Sequence, residues 1–206
     1  MGERGGLNLY RALMNSPINA IDANGLYAAQ GTILPDDVAG KTEFNPQITV
    51  QSVTVNHCFC SLDQATWAAN TFVYYPGSAN HPAYQHATLQ QILDHEDVHA
   101  SSDDALAAKA LPVAISAMQV ASLEKSWWQA LFTGWDWTEA ECKSEMQGQL
   151  YAAAASIQNV AYGTLTTQAH SYIGEYVTTW NPAGVATWNT WFNGWLASQY
   201  NGGKYW

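Results

Sequence analysis

Basic side chains are scarce in this sequence: 7 Lys and Arg face 17 Asp and Glu in 206 residues, giving a formal net charge of -10 at pH 7. Contacts to a nucleic-acid backbone need clustered Lys and Arg, so this balance argues against a nuclease or any nucleic-acid partner. Long apolar runs are missing as well. Nothing approaches the ~20 residues of a membrane-spanning helix, and the N-terminus lacks the apolar core of a signal peptide, so neither a membrane role nor Sec export is expected. Cysteine is limited to 3 residues, too few for a disulfide framework, although Cys58 or Cys60 could pair with Cys142 in an oxidising setting. What is plentiful is apolar surface. With 48% hydrophobic residues and 10 Trp, the chain can build one sizeable core and is short for two full domains.

Histidine is also sparse, at 6 residues, yet two of them fall in His95-Glu96-Asp97-Val98-His99, a match to H-E-x-x-H. On a helix this spacing sets two imidazoles one turn apart on one face. The segment reads as helical on local grounds. Thr88-Leu89-Gln90-Gln91 is a capping-box pattern, and Leu89, Ile92 and Leu93 follow at helical spacing, which predicts a helix from about Thr88 to about Ala100. Glu96 is turned about 100° from His95, a position suited to a carboxylate that works on a metal-activated water without binding the metal. His95 and His99 are therefore expected to bind Zn²⁺, with Glu96 as general base.

A catalytic zinc needs a third protein ligand. The metzincin extension would place glycine and histidine where Ser102 and Ala105 stand, and the aspzincin G-T-x-x-D is not formed by Gly163-Thr164-Leu165-Thr166-Thr167. Neither pattern fits. The segment Trp137 to Gln147 offers Glu139, Glu141 and Glu145. Glu141-x-x-x-Glu145 resembles the gluzincin E-x-x-x-D pattern, in which the first acid is a ligand and the second orients a ligating histidine. The resemblance implies Glu141 as third ligand and Glu145 as its supporting acid or an alternative ligand. The competing explanation for Glu139 and Glu141 is an acidic first helical turn after an N-cap at Thr138.

The remaining chemistry-bearing residues suggest less. His57-Cys58-Phe59-Cys60 is too tightly spaced for a zinc knuckle, and the alternation of Gln47 to Val55 suggests a strand with its thiols partly buried. His81 and His86 flank Pro82 in a loop. His170, near Tyr172, is a candidate transition-state hydrogen-bond donor to an oxyanion. Ser101-Ser102-Asp103-Asp104 resembles capping chemistry that would start a new helix.

Along the chain, residues 1–26 are polar and rich in Gly and Asn. From about 27 to 80 the pattern is strand-like, with Thr71 to Tyr75 a second strand closed by Pro76-Gly77. From about 88 to 200 it is helical, with helices expected over Ala105 to Ala130 and Thr138 to about Tyr162, separated by Thr133-Gly134. A small N-terminal sheet followed by a mainly helical region is an α+β arrangement.

The opening residues carry a second clue. Gly5-Gly6-Leu7-Asn8-Leu9-Tyr10-Arg11, Asn15-Ser16-Pro17 and Asp22-Ala23-Asn24-Gly25-Leu26 resemble the end of the core of Rhs-repeat proteins, whose pattern runs G-G-x-N-L-Y-R, N-x-P, D-P-x-G-L. That resemblance implies a β-cage enclosing a C-terminal toxin, with self-cleavage after Leu26, Asp22 as the matching acid and Tyr27 as the first toxin residue. Ala23 departs from the usual Pro. It further implies two units, a core-terminal segment over 1–26 and an effector over 27–206, with an Rhs cage and an immunity protein as partners.

The combined expectation is a zinc metallopeptidase toxin of an Rhs effector, acting on protein or peptide in a target cell, its cytoplasm by default. The competing expectation from another class is an aromatic-rich module that binds glycan, membrane or a partner, given Trp180, Trp188, Trp191, Trp195 and Trp206 near the C-terminus. Spacing favours a core role for Trp188, Trp191 and Trp195, which fall at i, i+3 and i+7 on one helical stripe.

Overall fold

The computed structural model describes residues 28–200. The Rhs-like segment, with Asp22 and Leu26, lies outside the described residues. Five strands come first: β1 (Ala28–Thr32), β2 (Lys41–Phe44), β3 (Gln47–Asn56), β4 (Phe59–Ala68) and β5 (Thr71–Pro76). Helices follow, as α1 (Leu89–Val120), α2 (Trp127–Thr133), α3 (Glu139–Val160), α4 (Thr166–Ile173) and α5 (Gly184–Tyr200), with a short strand β6 (Ser122–Glu124) between α1 and α2. The fold is α+β, as expected.

The strands form two three-stranded sheets, ordered β1-β5-β2 and β3-β4-β6. β1 runs parallel to β5 and β2 antiparallel to it. In the second sheet β3 and β4 form a hairpin whose turn places His57 at φ 51. Alternation is visible in β3, where Ile48 and Val50 are buried between exposed Gln47, Thr49 and Gln51. Register then shifts around Ser52, which spoils the period beyond it.

Two apolar clusters divide the molecule. The smaller joins Ala29, Val73 and Tyr75 of the first sheet to Ile92, Leu93 and Ala100 on the first turns of α1. The larger packs Ile48, Val50, Cys60 and Leu62 of the second sheet against Leu106, Leu111 and Ile115 of α1, with Met146, Leu150, Ile157, Trp188 and Phe192 from α3 and α5. Helix α1, with 32 residues, therefore belongs to both clusters. At ~1.5 Å per residue it is about 48 Å long.

The sequence suggested that this helix would stop near Ala100 and a new one begin at Asp103. Instead it runs on, because the Ser101 and Ser102 hydroxyls donate backwards to the carbonyls of Asp97 (2.6 Å) and Val98 (2.8 Å) rather than capping a new N-terminus. The helix expected over Ala105 to Ala130 is also corrected. It ends at Val120, and residues 122–124 pair with the edge of β4. Pro112 sits inside α1 without ending it.

Side chains of α3 and the turn after it complete the sheet edges. The Gln147 amide accepts from Val50 N–H at 2.9 Å and donates to Ile48 O at 2.7 Å, while the Tyr162 hydroxyl lies 2.8 Å from Phe44 N and 3.0 Å from Phe44 O. Such pairing removes open edges. A disulfide joins Cys60 of β4 to Cys142 of α3, with Cα atoms 5.6 Å apart, and Cys58 is free. The Trp188, Trp191, Trp195 stripe of α5 faces inward as its spacing implied. Trp188 is 1% exposed, and its indole N–H donates to Ser102 Oγ at 3.1 Å.

Candidate metal centre

Helix α1 starts as its sequence predicts. Gln91 N–H donates to Thr88 Oγ1 at 3.2 Å and Thr88 N–H donates to Gln91 Oε1 at 2.9 Å, closing the capping box. From that start the helical period brings His95 and His99 to one face, their ring centroids 5.2 Å apart. They lie where α1 passes from the small cluster to the large one.

The third member of the group is His170 on α4. Its ring centroid is 5.0 Å from that of His99, with the planes perpendicular, and 5.8 Å from that of His95. One nitrogen from each of the three rings lies within 4.8 Å of the others. Among the described residues this is the group able to hold a metal ion.

The path from α3 to α4 explains how His170 arrives there. Ile157, Ala161, Leu165, Ala169 and Ile173 are all buried at four-residue steps. On a regular α-helix each such step drifts by about 40°, enough to carry the far end of the stripe out of the core. A π turn over Ala161–Leu165 absorbs this drift, so α4 keeps its stripe inward and His170 beside it. Gly174 then ends α4 at φ 90; a Cβ there would come within 2.2 Å of Thr179 O. The reversal lets Asn181 N–H donate to Ile173 O at 2.8 Å and brings the Trp180 ring to 5.4 Å from His95.

Electrostatically the three imidazoles suit a cation. Burial first, then the neighbouring His170, pushes His95 down to about 4, and burial with both neighbours pushes His99 down to about 3. Burial also lowers His170, with Glu175 working the other way. All three are neutral bases at pH 7 with lone pairs to donate. His95 is 3% exposed, and its Nδ1 is buried without a hydrogen-bond partner. An unanswered buried polar atom costs about 1–3 kcal/mol, a cost that is tolerated where a ligand binds. Three neutral nitrogens and no carboxylate make a donor set that suits Zn²⁺, with a coordination position left open.

Beside the group, Glu96 is 6% exposed. The Thr42 hydroxyl of β2 lies 2.7 Å from Glu96 Oε2 and 3.2 Å from Glu96 O. Gly40 leaves room for the same carboxylate, since a Cβ there would come within 2.7 Å of Oε1. Burial raises Glu96 to about 7 against the opposing Thr42 hydrogen bond. A carboxylate titrating near neutrality can both take and return a proton.

Glu141, expected as the third ligand, stands apart from the group. It closes a capping box with Thr138, accepting from Thr138 N–H at 2.9 Å, and pairs with the Lys125 ammonium at 3.1 Å. The Thr138 N–H and hydroxyl, with Lys125, hold its carboxyl down at about 2. Lys125 is 4% exposed and sits over the Trp137 ring, so Glu141 serves as a cap and the partner of a buried cation. Glu145 is half-buried and accepts from Gln149 at 3.1 Å; Glu139 lies exposed in the first turn. His170 was expected to contact an oxyanion and instead joins the two α1 histidines. The four-residue apolar spacing from Ile157 to Ile173 is legible in sequence, but the π turn that directs His170 to the group is not.

The other histidines stand outside the group. His57 faces Asp136 at 3.5 Å. His81 caps a short 3₁₀ turn, accepting from Ala83 N–H at 3.2 Å with Nε2 3.1 Å from Pro35 O, and His86 lines the cleft in front of His95. No protein-family model, curated protein or solved structure matches this chain.

Proposed function

We propose that this chain is a zinc-dependent hydrolase of the metallopeptidase type, with His95, His99 and His170 holding the metal and Glu96 as general base. The observation that carries the proposal is the convergence of three neutral imidazoles next to a buried carboxylate that titrates near neutrality. Bound Zn²⁺ would supply a Lewis acid that polarises a carbonyl and lowers the pKa of water. Glu96 would take a proton from the attacking water and return it to the leaving amine, a two-way role suited to a carboxyl near pH 7. Thr42 and Gly40 fix the carboxylate, and the Trp180 ring lies edge-on against His95. Amide hydrolysis is the assigned reaction, on protein or peptide.

The resemblance of residues 1–26 to an Rhs core terminus supports delivery as a C-terminal toxin, with cleavage after Leu26, an immunity protein as partner and action inside a target cell. No described helix is long and apolar enough to cross a membrane. The rival reading, an aromatic binding module, loses the α5 stripe to the core. It keeps the exposed apolar side chains of α2 and the loop after it, with Phe132 85% and Trp135 65% exposed.

Metal analysis of the purified chain and the variant Glu96→Gln decide between them. About one zinc per chain, with hydrolysis and toxicity lost in Glu96→Gln while zinc stays bound, is expected. A zinc-free protein, or a fully toxic Glu96→Gln that retains zinc, overturns the enzyme.

A further inference from the structure

A cleft of about 410 Å³ opens on His95, one member of the histidine group, and on Glu96. Its walls come from three places, of which the turn after β5 contributes Pro82, Ala83 and His86. The turn between β1 and β2 contributes Asp36 and Asp37, held by a Val38 N–H to Pro35 O bond at 2.9 Å. The chain after Gly174 contributes Glu175 and Tyr176. Asp36, Asp37, Glu175 and Tyr176 are exposed and face the opening.

The lining is one-sided in charge. Three exposed carboxylates stand with Glu96, and among the described residues lining the cleft there is no Lys or Arg. Lys41, one residue past the Gly40 wall, is paired with Glu43 instead. A divalent cation on the three neutral imidazoles would cancel part of this charge and leave the outer walls negative. Apart from the charge, His95, 3% exposed, lines the cleft and carries the buried Nδ1 with no partner, so the acidic walls lead to the atoms proposed to bind a ligand.

From this placement we propose that the cleft selects a cationic substrate, in which a basic side chain or free amino terminus of a peptide lies against Asp36, Asp37 and Glu175 while its amide reaches the histidine group. The inference rests on the hydrolase assignment and adds its substrate class. Carboxylates on two separate walls can bracket an ammonium or guanidinium group, whereas an acidic residue there meets like charge from both sides. Tyr176 adds a ring face over which a cation can rest.

The test uses the zinc-reconstituted chain and peptides that differ in one residue, Lys, Arg, Gln or Glu, each with a free or acetylated amino terminus. Lys and Arg peptides are expected to exceed the Gln peptide by about ten-fold in kcat/KM and the Glu peptide by more, with the preference shrinking as salt rises. In the triple variant Asp36→Asn, Asp37→Asn, Glu175→Gln the Lys-to-Glu ratio falls towards one. A preference that follows the free amine and vanishes on acetylation identifies the amino terminus as the bound cation; one that survives acetylation identifies the side chain. Cleavage of all peptides at equal rates overturns the inference and leaves the hydrolase standing. If none is cleaved, equilibrium binding to Glu96→Gln separates the two claims: charge-selective, salt-sensitive binding upholds the cationic cleft while hydrolysis fails, and equal binding overturns it.

Discussion

Replacing His170 with Ala tests the metal centre where structure and sequence disagree. The change removes one of three nitrogen donors and leaves α4 intact, since Ala is the best helix former. Four-ligand zinc sites gather about 10–16 kcal/mol, so one donor's share is about 3 kcal/mol, or about a hundred-fold in affinity. The imidazole is only half-buried, so its loss costs little packing, and the folded fraction of the apo-protein should barely move. Competition with a chromophoric chelator at fixed pH reads the affinity, and circular dichroism checks the fold. Glu141→Gln is the counterpart. It should keep wild-type zinc affinity yet melt earlier, because Lys125, with its side chain 1% exposed, loses its carboxylate partner. An unchanged zinc affinity in His170→Ala, or a loss in Glu141→Gln of the same size, refutes the assignment of His170 as the third ligand.

Three further outcomes follow from particular contacts. Gly40→Ala puts a methyl carbon 2.7 Å from Glu96 Oε1 and 2.9 Å from its Cγ, so the carboxylate must shift; kcat/KM should fall about 10–100-fold with zinc retained, and wild-type kinetics would count against Glu96 as the base. Asp103, 6% exposed, is pushed up to about 8 by burial and then by Asp104, above an unfolded value of ~3.9. The folded chain thus holds a proton the unfolded chain releases, so this contribution is intact below pH ~4 and is lost as pH rises towards 8, by up to about 1.4 kcal/mol per unit. Asp103→Asn should flatten that slope in denaturant titrations from pH 5 to 8, and an unaltered slope excludes the residue as its source. Reducing Cys60–Cys142, which spans 82 residues, should lower stability by about 4.5 kcal/mol in the chain-entropy description; reduction with no change in the denaturation midpoint would show that packing alone holds β4 to α3.

The parts of the site that could be read from sequence are those set by local rules. A cap at Thr88 and the helical period suffice to pair His95 with His99 and turn Glu96 aside, and period-2 alternation suffices for the first half of β3. His170 was beyond such rules, because its direction depends on a π turn whose need arises only when a four-residue stripe is packed against α1. Glu141 was misassigned because carboxylates one turn apart serve a metal or a cap equally well in sequence. Only the buried Lys125, brought in by the pairing of β6 with β4, separates the two. The run from Ser101 to Asp104 misled for a related reason. A serine hydroxyl that can cap a helix can also bond back to its own, and tertiary packing around Trp188 chose the second.

The uninterrupted length of α1 has a consequence for how the centre could be measured. Two of the three proposed donors sit on one helix, and their separation hardly responds to strain elsewhere. Only the approach of α4 to that helix is free to vary. In the proposed centre zinc affinity would become a gauge of a single helix-to-helix gap, and a substitution at Ala169 or Ile173, which supply no donor atom but set how α4 packs, should register as a change in metal binding before it registers as unfolding.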